Sequence, residues 1–543
     1  MPSRQVLATD VLVIGGGSAG CMAAIRMKEI APTVRVTILE KGTVRQSGCI
    51  AMGMDALNNV VVPGVSTVKD YVEAMRLVTE GVYDPAPHRV IAERSFSVAK
   101  KLEAWGTPLR HKEDGSYYVH QIHPNAAFTV PMDAPNLKEI LFERACAAGV
   151  QSIDRTMAIS LLSDQHGVCG DIGFHVRTGE ILVCWAKAVI IASGGCARFG
   201  LPNTGYLFGT VDFPGNTGDG YTLGYRAGAD VTGMEYTVNA ALVKDLGTPL
   251  LVPAQSMGAI MVNCDGEQLE GTVGRAHSST DVWQHSKGKM MFIRTRHLPE
   301  ENIRGIEQVL FSTERPVQKR FYEGRGIDLR KDDIELGLTE HYLCGGHGMA
   351  GLAVNERAET SVPGLYAAGA SAGVAFQYLV GAFVLGEVAA EEAVRYVSQR
   401  PAPDFAEGQV RDVEKQIESL VDARPSARVS LEEFEYKVRR TVNEYIVSPK
   451  NEWKLQNAIH WMHRFDDEVD NLVAVRDAHD VARYYEMRSI IMSSELSATA
   501  ALERKESRWG PRHVRIDYPE RDDEHWACQI RIGRGDDGLP QVR

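Results

Sequence analysis

Residues 11–20 read Val-Leu-Val-Ile-Gly-Gly-Gly-Ser-Ala-Gly, and no other stretch constrains the fold as strongly. Val11–Ile14 is a short apolar run rich in β-branched residues, which predicts a buried strand. The pattern from Cys21 to Ile25 opens a helix. Between strand and helix, Gly15, Gly17 and Gly20 form Gly-x-Gly-x-x-Gly. The first glycine permits a tight turn, the second lets backbone approach a pyrophosphate, and the third lets helix and strand pack closely. Ser18 and Ala19 begin the helix, whose free N–H groups and positive end face the phosphates. A second strand is expected over Val34–Leu39, ending at Glu40 and Lys41. Glu40 falls where a carboxylate reaches ribose hydroxyls. A glycine triplet alone could be a βα turn that holds nothing. Strand, helix and acid together predict dinucleotide binding.

Three more pieces extend the sheet. Trp185–Ala192 is an apolar run that reads as one buried strand and stops at Ser193-Gly194-Gly195. Asn216-Thr217-Gly218-Asp219-Gly220 precedes a helical pattern over Tyr221–Gly228. A further short strand, Leu365–Ala368, runs into Gly369 and Ala370. One nucleotide-binding sheet is therefore assembled from distant parts of the chain. Residues 237–340 fit that sheet poorly, with a turn at Asn263-Cys264-Asp265-Gly266 and basic residues from Arg294 to His297, and read as an insertion. After Pro401-Ala402-Pro403, residues 408–506 show helical spacing with few Gly or Pro. That pattern predicts a helical bundle. Beyond Trp509 the chain reads as a polar, loop-like tail.

Lys plus Arg number 59 and Asp plus Glu 71, a formal charge of −12. This balance argues against nucleic acid as the main partner. No apolar run approaches the roughly 18 residues that span a bilayer. Met1–Asp10 lacks the apolar core of a secretory signal. The nine cysteines form no Cys-x-x-Cys pair, so reduced thiols in a cytoplasm are expected, with no metal site of the chain's own.

Taken together, these motifs resemble the flavoprotein subunits of fumarate reductase, succinate dehydrogenase and adenylylsulfate reductase, with L-aspartate oxidase a further relative. The resemblance covers nearly the whole chain and implies FAD. It implies an α/β fold: a discontinuous Rossmann-like FAD-binding domain (1–236 and 341–402), an inserted α+β capping domain (237–340) and a C-terminal helical domain (403–543). Family members often tether FAD covalently through a His just after an Arg-Ser pair. Here Arg45-Gln46-Ser47-Gly48 puts glycine at that position, which implies non-covalent FAD and a flavin less suited to oxidising succinate. Ser47-Gly48 followed by small residues, then Ala56-Leu57-Asn58, is similar to the adenylylsulfate reductase pattern and marks Asn58 as a site candidate. The tail, Arg504-Lys505-Glu506-Ser507-Arg508-Trp509-Gly510 with Asp517-Tyr518-Pro519, matches the family as a whole.

On the substrate side, His341-Tyr342-Leu343-Cys344-Gly345-Gly346-His347 resembles the family's substrate segment, which implies catalytic roles for His341 and His347. Two family features are absent. No Arg-Asp pair follows Asn263–Glu267, and no Arg follows the acid in Glu235-Tyr236-Thr237. Arg294 and Arg296 read better as a solvated basic face than as an anion clamp. His120 and His123 lie in a loop that could reach the pocket. A helix after Gly381 is expected to point its N-terminus at the flavin pyrimidine end, around Ala382, Val384 and Leu385.

The leading expectation is an FAD oxidoreductase subunit, part of an oligomer, that acts on a small anionic or sulfur-containing substrate. The resemblance implies that its electron partner is a ferredoxin-like iron–sulfur subunit. One alternative is a dicarboxylate or L-aspartate-type oxidase that works without a partner. The other is an electron-transfer flavoprotein with a vestigial pocket.

Overall fold

The structure, a computed structural model, describes residues 3–52, 54–121, 123–134, 136–202, 213–246, 254–255, 257–269, 288–308, 310–311, 316–422 and 429–543. Its centre is a five-stranded parallel sheet in the order Leu365–Ala367, Ala188–Ile191, Val11–Ile14, Val36–Leu39, Gln151–Ile153. Every residue of the first four strands is buried. Their β-branched and apolar content suits a sheet covered on both faces. On one side pack the helices Ser18–Ile30 and Tyr378–Gln399.

The apolar run at 185–192 departs from the sequence reading. It is two strands in different sheets, not one. Ile181–Trp185 pairs with Arg4–Ala8 and Gly167–His175 in a four-stranded sheet, whereas Ala188–Ile191 belongs to the central one. Between them Lys187 donates its N–H to Asp10 O at 3.0 Å, and this marks the crossing.

Within 237–340, an antiparallel sheet runs Ala241–Val243, Ile334–Leu338, Met291–Arg294, Ile260–Asn263. It buries an apolar cluster of its own, including Met261, Ile293, Ile306 and Tyr322. The helices Glu407–Asp422, Leu431–Tyr445, Glu452–Asn471 and Ala478–Glu503 follow. Their starts are sequence-encoded. Ser430 accepts the Glu433 N–H at 3.2 Å while Glu433 reaches back to the Ser430 N–H, a reciprocal cap.

The tail is not simply a loop. Arg531–Arg534 and Pro540–Val542 are strands that join Val231–Thr232 and Gly351–Leu352 in an antiparallel sheet. Among the described residues, no helix is long and apolar enough to cross a membrane.

Candidate active site

The glycine turn is fixed by its neighbours. Gly15 has φ +100°, and a Cβ there would lie 2.5 Å from Ala192 O. A Cβ on Gly20 would lie 1.9 Å from Gly15 O. A Cβ on Gly17 meets nothing within 4 Å. The second glycine therefore faces open space, as backbone that receives a pyrophosphate must. Gly48 stands against it, its would-be Cβ 3.2 Å from the Gly17 Cα. Ser47 Oγ accepts the Thr43 N–H at 2.9 Å and closes that loop.

Glu40 is placed as expected, at the end of the second strand. Its carboxylate accepts the N–H groups of Gly16 (2.8 Å) and Gly42 (2.7 Å), which leaves further lone pairs for hydroxyl groups. Ser193 Oγ is buried without a hydrogen-bond partner beside the same turn. Gly194, at φ +83°, would collide with Asn216 Nδ2 at 2.5 Å if it carried a Cβ. Gly369 approaches Ala19 in the same way, at 3.0 Å. Ala370 O accepts the Gly345 N–H at 3.2 Å, which links cradle and substrate segment. Open space at Gly17, an available carboxylate and an orphaned hydroxyl together fit a bound dinucleotide. Gly15–Gly20, Glu40 and the Ser193–Gly194 turn would hold FAD, which when bound supplies hydride and electron-transfer chemistry.

Lys41, Thr217 and Asp219 do come together, but in an ion cluster. Lys41 Nζ reaches Asp219 at 2.7 Å, Glu486 at 2.9 Å and Thr217 Oγ1 at 3.1 Å. Arg198 bridges Glu486 at 2.7 Å to Glu435. Burial alone would raise the Glu486 carboxyl, yet Lys41 and Arg198 hold it down at about 2. These motif residues thus tie the cradle to the helical bundle.

The expected helix start near Ala382 needs correction. The helix begins at Tyr378, and Gly381 already donates to Gln377 O at 2.7 Å. Val384 and Leu385 lie in its second turn with fully buried side chains, so the N–H groups that lack an intrahelical acceptor belong to earlier residues.

The same region carries backbone strain. Phe376 and Tyr378 both have φ +49° and Asn59 has φ +69°. Bulky side chains adopt such angles only when the surroundings over-determine them, and such residues cluster at functional sites. Here Asn59 Nδ2 donates to Phe376 O at 2.6 Å, and Gln377 Nε2 donates to Gly369 O at 2.8 Å and Ala372 O at 3.0 Å. The N–H groups of Phe376, Gln377 and Tyr378 go to the carbonyls of Gly348, Gly345 and Gly346. The expected Asn58 instead turns away, its Oδ1 accepting from Thr129 Oγ1 at 3.0 Å. Asn59 is the asparagine that reaches the strained segment, and its Oδ1 is buried without a hydrogen-bond partner.

Rings gather on this strained segment. Tyr378 lies 5.4 Å from His347 and 5.6 Å from His123, centroid to centroid. Phe376 lies 5.2 Å from Trp509. Burial pushes His123 down to about 4, so it is neutral at neutral pH. His120 stays apart, its ring against Tyr118 and its backbone paired with Thr129. Arg512, which the sequence reading passed over, lies 5.0 Å from the centre of the Phe376 ring and 4.6 Å from that of Trp509. Its Nη2 approaches His347 O at 3.5 Å. Arg294 and Arg296 are both spent on Asp333, at 2.6 and 3.5 Å.

His341 is anchored through its backbone, its carbonyl accepting the Gly200 N–H at 2.8 Å. Burial first, and the Lys450 charge second, push it down to about 4. Lys450 is itself fully buried, donating to Glu235 O at 2.6 Å and Arg512 O at 3.5 Å. Burial pushes it down to about 7 against the pull of Glu235, with Arg515 adding to the lowering. Between pH 7 and the ordinary 10.5, the unfolded chain holds a proton that the folded chain lacks. Stability from this site therefore rises with pH across that window, and its cost is complete below about pH 7. Lys450→Met is expected to gain on the order of 2 kcal/mol relative to wild type near pH 6.5 and almost nothing near pH 10.5. Urea melts at both pH values check this; a difference that does not change with pH contradicts it.

The profile of the FAD binding domain family matches residues 10–380, and that of the fumarate reductase flavoprotein C-terminal family matches residues 435–541. An uncharacterised FAD-dependent oxidoreductase of Methanocaldococcus jannaschii is 26% identical, with 96% of each chain covered. One subunit of the fumarate reductase (CoM/CoB) of Methanothermobacter marburgensis is 24% identical, with 97% of each chain covered. The solved adenylylsulfate reductase of Archaeoglobus fulgidus superposes with a TM-score of 0.90 at 24% identity, over 100% of this chain and 96% of that one, a likeness of fold. The chain belongs to the FAD binding domain family and is an FAD-dependent oxidoreductase related to the fumarate reductase and adenylylsulfate reductase flavoproteins.

Proposed function

We propose that the chain is the flavoprotein subunit of an oxidoreductase that exchanges electrons between a small anionic or sulfur-containing substrate and an iron–sulfur partner subunit. Residues 1–236 and 341–402 would form the FAD domain, 237–340 the cap over it, and 403–543 the helical domain. The observation that carries the reading is the position of Arg512. The tail brings this guanidinium to the strained Phe376–Tyr378 segment and the His347 carbonyl, a cation where the sequence offered no clamp. A guanidinium recognises carboxylate, sulfite or sulfate groups by charge-assisted hydrogen bonds. His347 and neutral His123 flank the same rings and would orient the substrate and move its proton. FAD is held without a covalent bond, since glycine stands at position 48. The subunit naming of the fumarate reductase relative supports a partner chain, and nine cysteines with no disulfide among them are in keeping with a reducing cytoplasm.

The test is anaerobic reduction of the purified protein by a panel of sulfite with AMP, succinate, aspartate, and simple thiols and amines, with adenylylsulfate offered to the pre-reduced protein as an electron acceptor. Bleaching of the flavin band near about 450 nm by an anionic or sulfur compound supports the reading. Reduction by amines alone, or steady peroxide formation in air without a partner, contradicts it. With the active substrate, Arg512→Met is expected to lower kcat/KM about 100-fold while FAD content stays at the wild-type level. An unchanged kcat/KM would remove Arg512 from the site.

A further inference from the structure

Lys138 stands where a lysine is costly. It is the second residue of the helix Leu137–Ala147, whose cap, Asn136, makes no side-chain hydrogen bond to the first turn. A cation in the first turn opposes the positive end of the helix dipole. The side chain is also 3% exposed, and a buried ammonium needs an anion to offset its desolvation. Among the described residues, no carboxylate lies within ion-pair distance of it. Nζ instead donates to Gly16 O, inside the glycine turn, and lies 3.7 Å from Cys21 Sγ.

The Gly16 peptide is thereby gripped from both ends. Its carbonyl takes Lys138, with Cys21 Sγ also donating at 3.2 Å, and its N–H goes to Glu40 at 2.8 Å. The next residue, Gly17, is the one that faces open space. The N-terminus of the Ser18–Ile30 helix begins at the same point and adds its own partial positive charge. The turn thus collects one full cation and two helix N-termini against a single carboxylate, Glu40. This imbalance fits a ligand that brings about two negative charges, as the diphosphate of FAD does.

We propose that Lys138 is a positioning residue for FAD: it fixes the Gly16–Gly17 peptide and supplies the positive charge that balances the diphosphate. The proposal rests on FAD binding and is independent of the substrate reading. It predicts that the charge, and not only the hydrogen bond, governs retention of the cofactor.

The test follows FAD release from the full-length holoprotein on dilution, by recovery of flavin fluorescence, at low and high salt and without substrate. Lys138→Met is expected to weaken retention 10- to 100-fold and to flatten its salt dependence. Lys138→Gln, which keeps a donor for the Gly16 carbonyl but no charge, should resemble Lys138→Met, and Lys138→Arg should return to within a few-fold of wild type. The proposal is overturned if Lys138→Gln retains FAD as tightly as Lys138→Arg, or if all three variants lose FAD equally. Should Lys138→Met not fold, Lys138→Gln carries the comparison. Should neither fold, wild type decides: release that accelerates with salt supports the charge role, and release indifferent to salt overturns it.

Discussion

Gly17→Ala is expected to give a folded protein that has lost its yellow colour. The added Cβ meets no atom of the chain within 4 Å. Backbone strain is absent too, because Gly17 has φ −73° and ψ −161° as the cap of its helix, angles any residue adopts. Folding stability should change by only about 0.5 kcal/mol. The open volume is where a pyrophosphate must approach the backbone, so FAD affinity should fall by about 100-fold or more, the scale set by a displacement of about 1 Å. Gly20→Ala is the contrasting control. Its Cβ would sit 1.9 Å from Gly15 O, so it should lose stability and FAD together. Thermal melts with flavin quantitation read both variants. A Gly17→Ala protein that retains FAD at the wild-type level would mean that the cofactor does not cross this turn.

Glu506→Gln should be the most destabilising single change in the tail. Glu506 is fully buried and accepts from Arg504 at 2.9 Å, Arg508 at 2.6 and 2.9 Å, and the Asp522 N–H at 2.9 Å. Arg504 in turn holds Glu235 at 2.8 Å. With Glu506 neutralised, two buried guanidiniums share the remaining charge of Glu235 and of the exposed Asp523. Removing one partner from such a network costs about 3–5 kcal/mol, mostly from charge left uncompensated. The same segment carries Trp509 and Arg512 to Phe376, so the variant should also lose substrate-driven bleaching while it keeps FAD. Denaturant midpoints and limited proteolysis of the 504–543 tail provide the check. A melt within 1 kcal/mol of wild type (about a tenth of a typical domain's stability) would mean that the network is not holding the tail.

What the sequence could reveal follows from which interactions are local. The glycine spacing, the strand before it and Glu40 are local, and the order of residues is enough to locate the cradle. His347 is legible for the same reason, in a compact glycine-rich segment. Asn59 is not: nothing in Asn58-Asn59 says which one takes φ +69°, since that choice depends on the Phe376 carbonyl 317 residues away. Arg512 hides in a tail that looks polar and loop-like. Its role depends on Trp509 and Phe376 meeting across the fold. The Arg531–Arg534 strand escapes reading because its partner is only the two-residue strand Val231–Thr232, too short to leave a pattern. Lys187 looks like one polar residue in an apolar strand, and only its bond to Asp10 O reveals the crossing between two sheets.

The most direct measurement is acid precipitation of the purified yellow protein, with mass analysis of supernatant and pellet. The account predicts close to one FAD per chain released into the supernatant and a polypeptide of unmodified mass. A colourless protein that takes up no FAD, or flavin mass still joined to the precipitated chain, would contradict it.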